Sequence, residues 1–165
     1  MTQNTINSPT SSSGWTSFTT IIDCNPTAPT PGTIVQNVSY YLQFGNILYI
    51  SYTFAQSTAG TAGSGPAYLF NMPTGFTINT TIAPIYITQY NTSHIGTCWG
   101  AFNPGGWVFT GVAVPANTNL YCLMASVANS GSTVGATSGT LVGPANCTLN
   151  NTSLSYTVKL AVPIN

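Results

Sequence analysis

Hydrophobic and polar residues alternate strictly near the C-terminal end of the chain, which is the pattern of a half-buried β-strand. Over residues 154–162 every second residue is apolar, and Lys159 falls on the opposite face. Elsewhere no i, i+3, i+4 spacing of apolar residues persists for three helical turns. Val, Ile, Thr, Tyr and Phe dominate the apolar runs, so the sequence predicts short strands and no long helix.

Two apolar runs around residue 45 predict a β-hairpin. Their alternating apolar sets are Val38, Tyr40, Leu42 and Phe44, then Leu48, Ile50, Tyr52 and Phe54. A two-residue turn at Gly45 and Asn46 would place the two sets on opposite faces. A three-residue loop over residues 45–47 places both sets on one face, so burial favours this longer loop. The other face then carries Tyr41 and Tyr49, which predicts a second covered surface.

Further short strands are predicted between breaks rich in glycine, proline and asparagine. They span residues 68–70, 82–90, 95–102, 107–114 and 120–127, with loops at 57–66 and 129–140 and a turn at 103–106. About eight strands without a long internal repeat predict an all-β fold, a jelly-roll-type antiparallel β-sandwich. We expect the following residues of the two best-patterned regions to be buried: Tyr40, Leu42, Phe44, Leu48, Ile50, Tyr52, Tyr156, Val158 and Leu160.

The first 14 residues are polar and rich in serine, and they show no apolar period. They predict a flexible N-terminal tail, followed by a single β-sandwich domain over residues 15–165. The start has no basic region followed by an apolar stretch, so we expect no secretory signal. No apolar run approaches the ~20 residues that a membrane-spanning helix needs, so we expect no membrane insertion.

Charge is almost absent from the 165 residues: charged side chains make up 1% of the chain, against a usual ~25%. One Asp and no Glu exclude paired-carboxylate catalysis. One Lys and no Arg exclude electrostatic binding of nucleic acid. His94 and Cys98 would lie ~13 Å apart along a strand, too far for a nucleophile and its base. We therefore expect no enzyme, no cofactor and no metal site.

The four cysteines include no CxxC pair, which disfavours a zinc site. Cys98 and Cys122 fall inside predicted strands, whereas Cys24 and Cys147 fall in loops rich in proline and asparagine. Pairing like with like predicts two disulfides, Cys24 with Cys147 and Cys98 with Cys122. The alternative is four thiols, with the strand cysteines acting as small core residues.

Aromatic side chains are the candidates for an interface or a sugar-binding surface. Tyr41, Tyr49, Trp99 and Trp107 lie on predicted strands, and Trp15 begins the predicted domain. We favour a role for them in the core or in an oligomer interface, with stacking on glycan rings as the alternative. An uncharged surface also favours association between subunits.

The hairpin over residues 41–52, the glycine loop after it and the strand end over residues 69–75 together resemble a layout found in surface proteins of small phages and large DNA viruses. That layout is a Y-x-x-x-G-N-x-x-x-V hairpin, a glycine loop and an F-x-L-P-x-G strand end. The resemblance covers residues 38–76, with Met72 where the pattern prefers Leu. Those proteins are similar in fold to the jelly-roll heads of tumour necrosis factor and complement-type trimers. The resemblance implies a homotrimer and a place on a virion.

These observations predict a non-enzymatic structural or attachment protein of a virion, a trimeric jelly-roll knob on a viral surface or fibre. Its expected partners are copies of itself, other virion proteins and host-surface glycans. Its expected location is the virion, after synthesis in the host cytoplasm. The alternative is a free carbohydrate-binding, lectin-like β-sandwich module, which would share the strands and the aromatic surface.

Overall fold

The computed structural model describes residues 14–85, 94–103, 107–129, 140–144, 149 and 152–165. Within these ranges the secondary structure is antiparallel strands and turns, without a helix. The strands are β1 (Thr16–Phe18), β2 (Ile22–Asp23), β3 (Ile34–Phe44), β4 (Ile47–Gln56), β5 (Leu69–Asn71), β6 (Gly96–Asn103), β7 (Trp107–Pro115), β8 (Leu120–Asn129), β9 (Thr140–Leu141) and β10 (Thr152–Pro163). The prediction of an all-β antiparallel fold is confirmed.

The strands form one curled sheet in the order β1-β3-β4-β10-β6-β7-β8-β5-β2, with β9 paired to β8. Only residues 19–21 separate β1 from β2, although these strands lie at opposite ends of that order. Asn71 of β5 holds this crossing, because its Oδ1 accepts the Ile21 N–H at 2.6 Å and its Nδ2 donates to the Thr19 carbonyl oxygen at 3.1 Å. The sheet therefore curls until its two end strands lie near each other, which is an all-β sandwich arrangement, while the jelly-roll connectivity stays a prediction.

The hairpin of β3 and β4 has a two-residue turn, and the predicted three-residue loop is wrong. Phe44 pairs with Ile47, and Gly45 adopts a φ of 58° at the first central position of the turn. Glycine is favoured there in type II′ turns, whose twist matches that of the strands. The turn thus sets the register one residue away from the register that burial favoured.

This register places the apolar set of β3 on the outside of the sheet. Tyr40 and Phe44 are exposed and Leu42 is half-buried, so the expected burial of these three side chains is wrong. The inner face of β3 instead carries Ser39, whose hydroxyl shares a 2.6 Å hydrogen bond with Thr20. Beside it Tyr41 packs edge-on against neighbouring rings. Tyr41 and Tyr49 therefore lie on opposite faces, contrary to the prediction.

The predicted core positions of β4 and β10 are confirmed. All six are buried: Leu48, Ile50, Tyr52, Tyr156, Val158 and Leu160. The two strands pair so that Val158 faces Tyr52 and Leu160 faces Ile50. Facing residues lie on the same side of a sheet, so the alternation in each strand builds one continuous apolar layer.

Phe70 of β5 lies where the two layers of the curled sheet meet. Its ring centroid is 5.9 Å from Tyr52, 5.4 Å from Tyr121 and 6.3 Å from Tyr156. Burial raises the pKa of Tyr52 and of Tyr121, and neither hydroxyl has a hydrogen-bond partner among the described residues. Both phenols therefore stay protonated and act as large core side chains.

Loops account for the remaining differences from the predicted elements. Residues 82–85 form turns and coil, because the N–H groups of Ile82 and Ala83 donate to the Asn79 carbonyl oxygen, so a strand starting at residue 82 is wrong. The loop over 57–66 is confirmed, and it bridges to the segment before β3 through Thr27 and Ser64. Residues 1–13, 86–90, 104–106 and 130–139 lie outside the described part of the chain. They hold most of the predicted N-terminal tail, the end of the predicted strand over 82–90, most of the predicted turn over 103–106 and most of the predicted loop over 129–140.

Candidate functional site: the outer face of the sheet

The outer face of the sheet is the side that points away from the core. A row of side chains crosses this face at the middle of β3, β4, β10 and β6. Tyr40 faces Ser51, Ser51 faces Lys159, and Lys159 faces Thr97. Since facing residues share one side of a sheet, these four side chains lie on the same side. The even-numbered apolar residues of β3 and the odd-numbered residues of β4, β10 and β6 define this outer face.

Large aromatic side chains lie on the outer face and at its margin. Each has an exposed fraction between 41% and 60%: Trp15, Tyr40, Phe44, Tyr49 and Trp99. Tyr49 and Trp99 were candidates from the sequence, and the structure brings them to this face. Tyr41 is on the inner side, where its ring lies 5.2 Å from Phe76. The backbone of Trp107 begins β7, and its side chain lies outside the described part of the structure.

An open concavity of about 400 Å³ lies within this face, lined by Trp15, Tyr40, Ser51 and Lys159. Pairing of β1 with β3 at Ser17 and Tyr40 places Trp15 at the margin of the row. Ser51 is the smallest member of the row and sits between two long side chains, which creates the depression. The Lys159 Nζ donates to the Ser51 Oγ at 2.5 Å, which holds the ammonium against the concavity that the two rings also line.

Lys159 is the single lysine of the chain, which has no arginine, and Asp23 is its single acidic side chain. Asp23 does not line the concavity. Its Oδ1 instead accepts the Cys24 N–H at 2.7 Å, on β2. The concavity therefore combines one positive charge with two ring faces, and a counter-charge within it has to come from another molecule.

Sequence reasoning identified part of this site. The alternation of β10 placed Lys159 on an outward face, and Trp15 was among the candidate aromatic residues. Tyr40 was expected in the core, and Ser51 was not singled out. The signal for this pair is the two-residue turn at Gly45 and Asn46, because its register places Tyr40 and Ser51 side by side.

The structure does not bring His94 and Cys98 into a catalytic arrangement. His94 is exposed ahead of β6, whereas Cys98 is buried within that strand opposite Val158. Among the described residues no group of three His, Cys, Asp or Glu side chains is placed to hold a metal ion. The chemistry available on the outer face is therefore ring stacking, hydrogen bonding and one ammonium charge.

The predicted Cys98–Cys122 disulfide is wrong. Both are free thiols. Strand β7 lies between their strands, so their Cα atoms are separated by at least two strand spacings, or roughly 10 Å, whereas a disulfide needs Cα atoms within about 7 Å. They also belong to different hydrophobic clusters, Cys98 to the main core and Cys122 to a smaller cluster with Val114 and Met124. The predicted Cys24–Cys147 disulfide is also wrong, because Cys24 is a free thiol whose Sγ donates to the Ala67 carbonyl oxygen. Cys147 itself lies outside the described residues.

Buried thiols should resist alkylation in the folded protein. Burial raises the pKa of Cys122 to about 12 and also raises that of Cys24. At pH 8 both are then protonated, and the thiolate is the reactive form. We expect iodoacetamide at pH 8 to label Cys122 at least about tenfold more slowly in native than in denatured protein. Peptide mapping by mass spectrometry would measure this, and equal rates would contradict the burial.

Comparison with models of known protein families, with curated proteins and with solved structures finds no match to this chain. Within the described ranges there is also no helix of the length and apolarity needed to cross a bilayer. The strands and their antiparallel pairing define the class of protein as an all-β antiparallel sandwich. What it does has to be argued from its outer face.

Proposed function

We propose that the chain is a non-enzymatic structural or attachment protein of a virion, a trimeric jelly-roll knob on a viral surface or fibre. The observation that carries the proposal is the exposed, aromatic and nearly uncharged outer face. The solvent-facing side of an antiparallel sandwich is ordinarily polar, and contiguous exposed apolar area marks an interaction surface. The threefold count and the virion come from the resemblance over residues 38–76.

The subunit contact is best placed at the turn end of the hairpin. Phe44, Ile47 and Pro163 lie side by side there on the outer face, and Tyr49 is adjacent. This turn-end patch is four residues along each strand from the row of Lys159, or roughly 13 Å. Burial of an ammonium without a partner is costly, so the contact favours the turn-end patch and leaves the concavity open.

Light scattering on the purified chain should return about three times 17.2 kDa. Phe44→Asp introduces a charge into the turn-end patch and should shift the mass to that of the monomer, because a buried unpaired carboxylate opposes association. Val35→Asp is the matched control, since Val35 is also exposed and apolar but lies at the far end of β3. A monomeric wild-type chain would remove the trimer and the knob, whereas a dimer would remove only the threefold count.

A free carbohydrate-binding module is the second candidate, and the concavity with Trp15 and Tyr40 favours it. Half-exposed aromatic rings at the edge of a depression are suited to stacking on sugar rings. Proteomics of purified virus particles separates the two candidates. A virion protein is recovered in stoichiometric amounts with the particles, and a free lectin-like module is not.

A further inference from the structure

We propose that the concavity lined by Trp15, Tyr40, Ser51 and Lys159 binds an anionic sugar, a pyranose that carries a carboxylate or a sulfate group. This proposal names a ligand for the attachment role. It rests on the proposed function only for the source of the sugar, which would be a host-surface glycan. The volume of about 400 Å³ lies within the range of small-molecule sites and suits one or two sugar rings.

The two rings supply the apolar half of the site. Trp15 and Tyr40 are each about half exposed, although the sandwich has an interior that holds other tyrosines. A pyranose presents C–H groups on one face, which pack on an aromatic ring, and hydroxyls at its rim, which need hydrogen-bond partners. The indole N–H, the phenol hydroxyl and the Ser51 hydroxyl are donors or acceptors at that rim.

Lys159 supplies the selectivity for a negative charge. Its ammonium has three donor hydrogens, and the bond to Ser51 uses one, so two remain for a ligand. A hydrogen bond between an ammonium and an anionic oxygen is about twice as strong as a neutral one. Asp23 is the single acidic side chain of the sequence, and it lies on β2, where it accepts the Cys24 N–H. The anion that pairs with Lys159 is therefore expected to come from the ligand.

A single cation also limits the class of ligand. Binding to nucleic acid draws on several Lys or Arg contacts with successive phosphates, and this chain has one such residue. An isolated anionic group next to a stackable ring therefore matches the site better than a polyanion does. Asp23 of a second copy is the competing partner for Lys159, and a variant at that residue tests it.

The experiment uses the full chain and three ligands on one scaffold: lactose, 3′-sialyllactose and 3′-sulfated lactose. Binding is followed by calorimetry and by ligand-observed NMR at low salt. We expect at least one acidic ligand to bind about tenfold more tightly than lactose. Lys159→Met should reduce its affinity to that of lactose, Lys159→Arg should keep most of the preference, and Trp15→Ala should weaken all binding. Raising the salt concentration should weaken only the acidic ligand.

The outcomes are distinct. Preference for the sialylated or for the sulfated ligand identifies which glycan supplies the anion, and either one supports the proposal if Lys159→Met abolishes it. Equal binding of lactose and both acidic ligands, or binding of none, overturns it. A preference that appears only in Asp23→Asn and not in the wild-type chain would also overturn it, since Lys159 would then be occupied by Asp23 of a second copy. Ligand affinity and the mass of the wild-type chain are measured separately, so failure of this proposal is distinguishable from failure of the trimer.

Discussion

Replacing Phe70 with alanine should lower the free energy of unfolding by about 3–5 kcal/mol. Phe70 is fully buried, and its ring contacts three tyrosine rings that come from β4, β8 and β10. Removing it deletes apolar contact on both layers of the sandwich at once. Because β5 is three residues long, its backbone has few hydrogen bonds to compensate for that loss.

Urea denaturation followed by tryptophan fluorescence would measure the change. Ile82→Ala is the matched control, because Ile82 is 66% exposed in a turn and its truncation should change stability by no more than about 0.5 kcal/mol. If Phe70→Ala were as mild as the control, the two layers would not meet at this ring. Protein concentration should be held constant, since association contributes to measured stability.

Gly63→Ala should be nearly as disruptive, with a loss of about 2–4 kcal/mol from backbone strain and overpacking together. Gly63 has a φ of 72°, and a Cβ added there would lie 2.5 Å from the Thr27 carbonyl oxygen and 2.8 Å from the Pro29 nitrogen. Both contacts are with backbone, so a side-chain rotation cannot relieve them. The loop over 57–66 would have to move away from the segment before β3.

Gly75→Ala isolates the part of this loss that comes from φ alone. Gly75 has a φ of 90°, and a Cβ added there would meet no atom within 4 Å. Its replacement should cost about 1 kcal/mol, the usual penalty for a left-handed alanine. The difference between the two variants in urea denaturation therefore measures the close approach of the loops. Equal losses would mean that the loops can separate freely.

Close contacts with backbone atoms explain why residues 60, 63 and 65 of the loop over 57–66 are glycines. The sequence alone predicts a loop of small residues here. In the structure it pairs with the preceding segment through Thr27 and Ser64 and through Thr30 and Thr61. Glycine is needed at these positions because one backbone packs on another, and this requirement is visible only after the fold brings the two segments together.

The concavity on the outer face is likewise a feature that the local sequence pattern could not predict. Among the described residues, the concavity is lined by Trp15, which precedes β1, and by Tyr40 of β3, Ser51 of β4 and Lys159 of β10. No spacing along the chain relates them, because the strand order inserts β10 between β4 and β6. The two cysteines expected to pair are separated by the same kind of long-range arrangement, with β7 between their strands.

The sequence by itself determined the class of fold and the buried faces of β4 and β10, because a period of two is a local property of a strand and one face of each strand is clearly more apolar. Only the tertiary structure decided which face of β3 is buried. The local pattern favoured burial of the even-numbered face, which is the more apolar one, and the structure instead turns Tyr40 and Phe44 outward and buries Ser39. The choice depended on the conformation of Gly45 and on which strand pairs with which, and neither is encoded in local alternation.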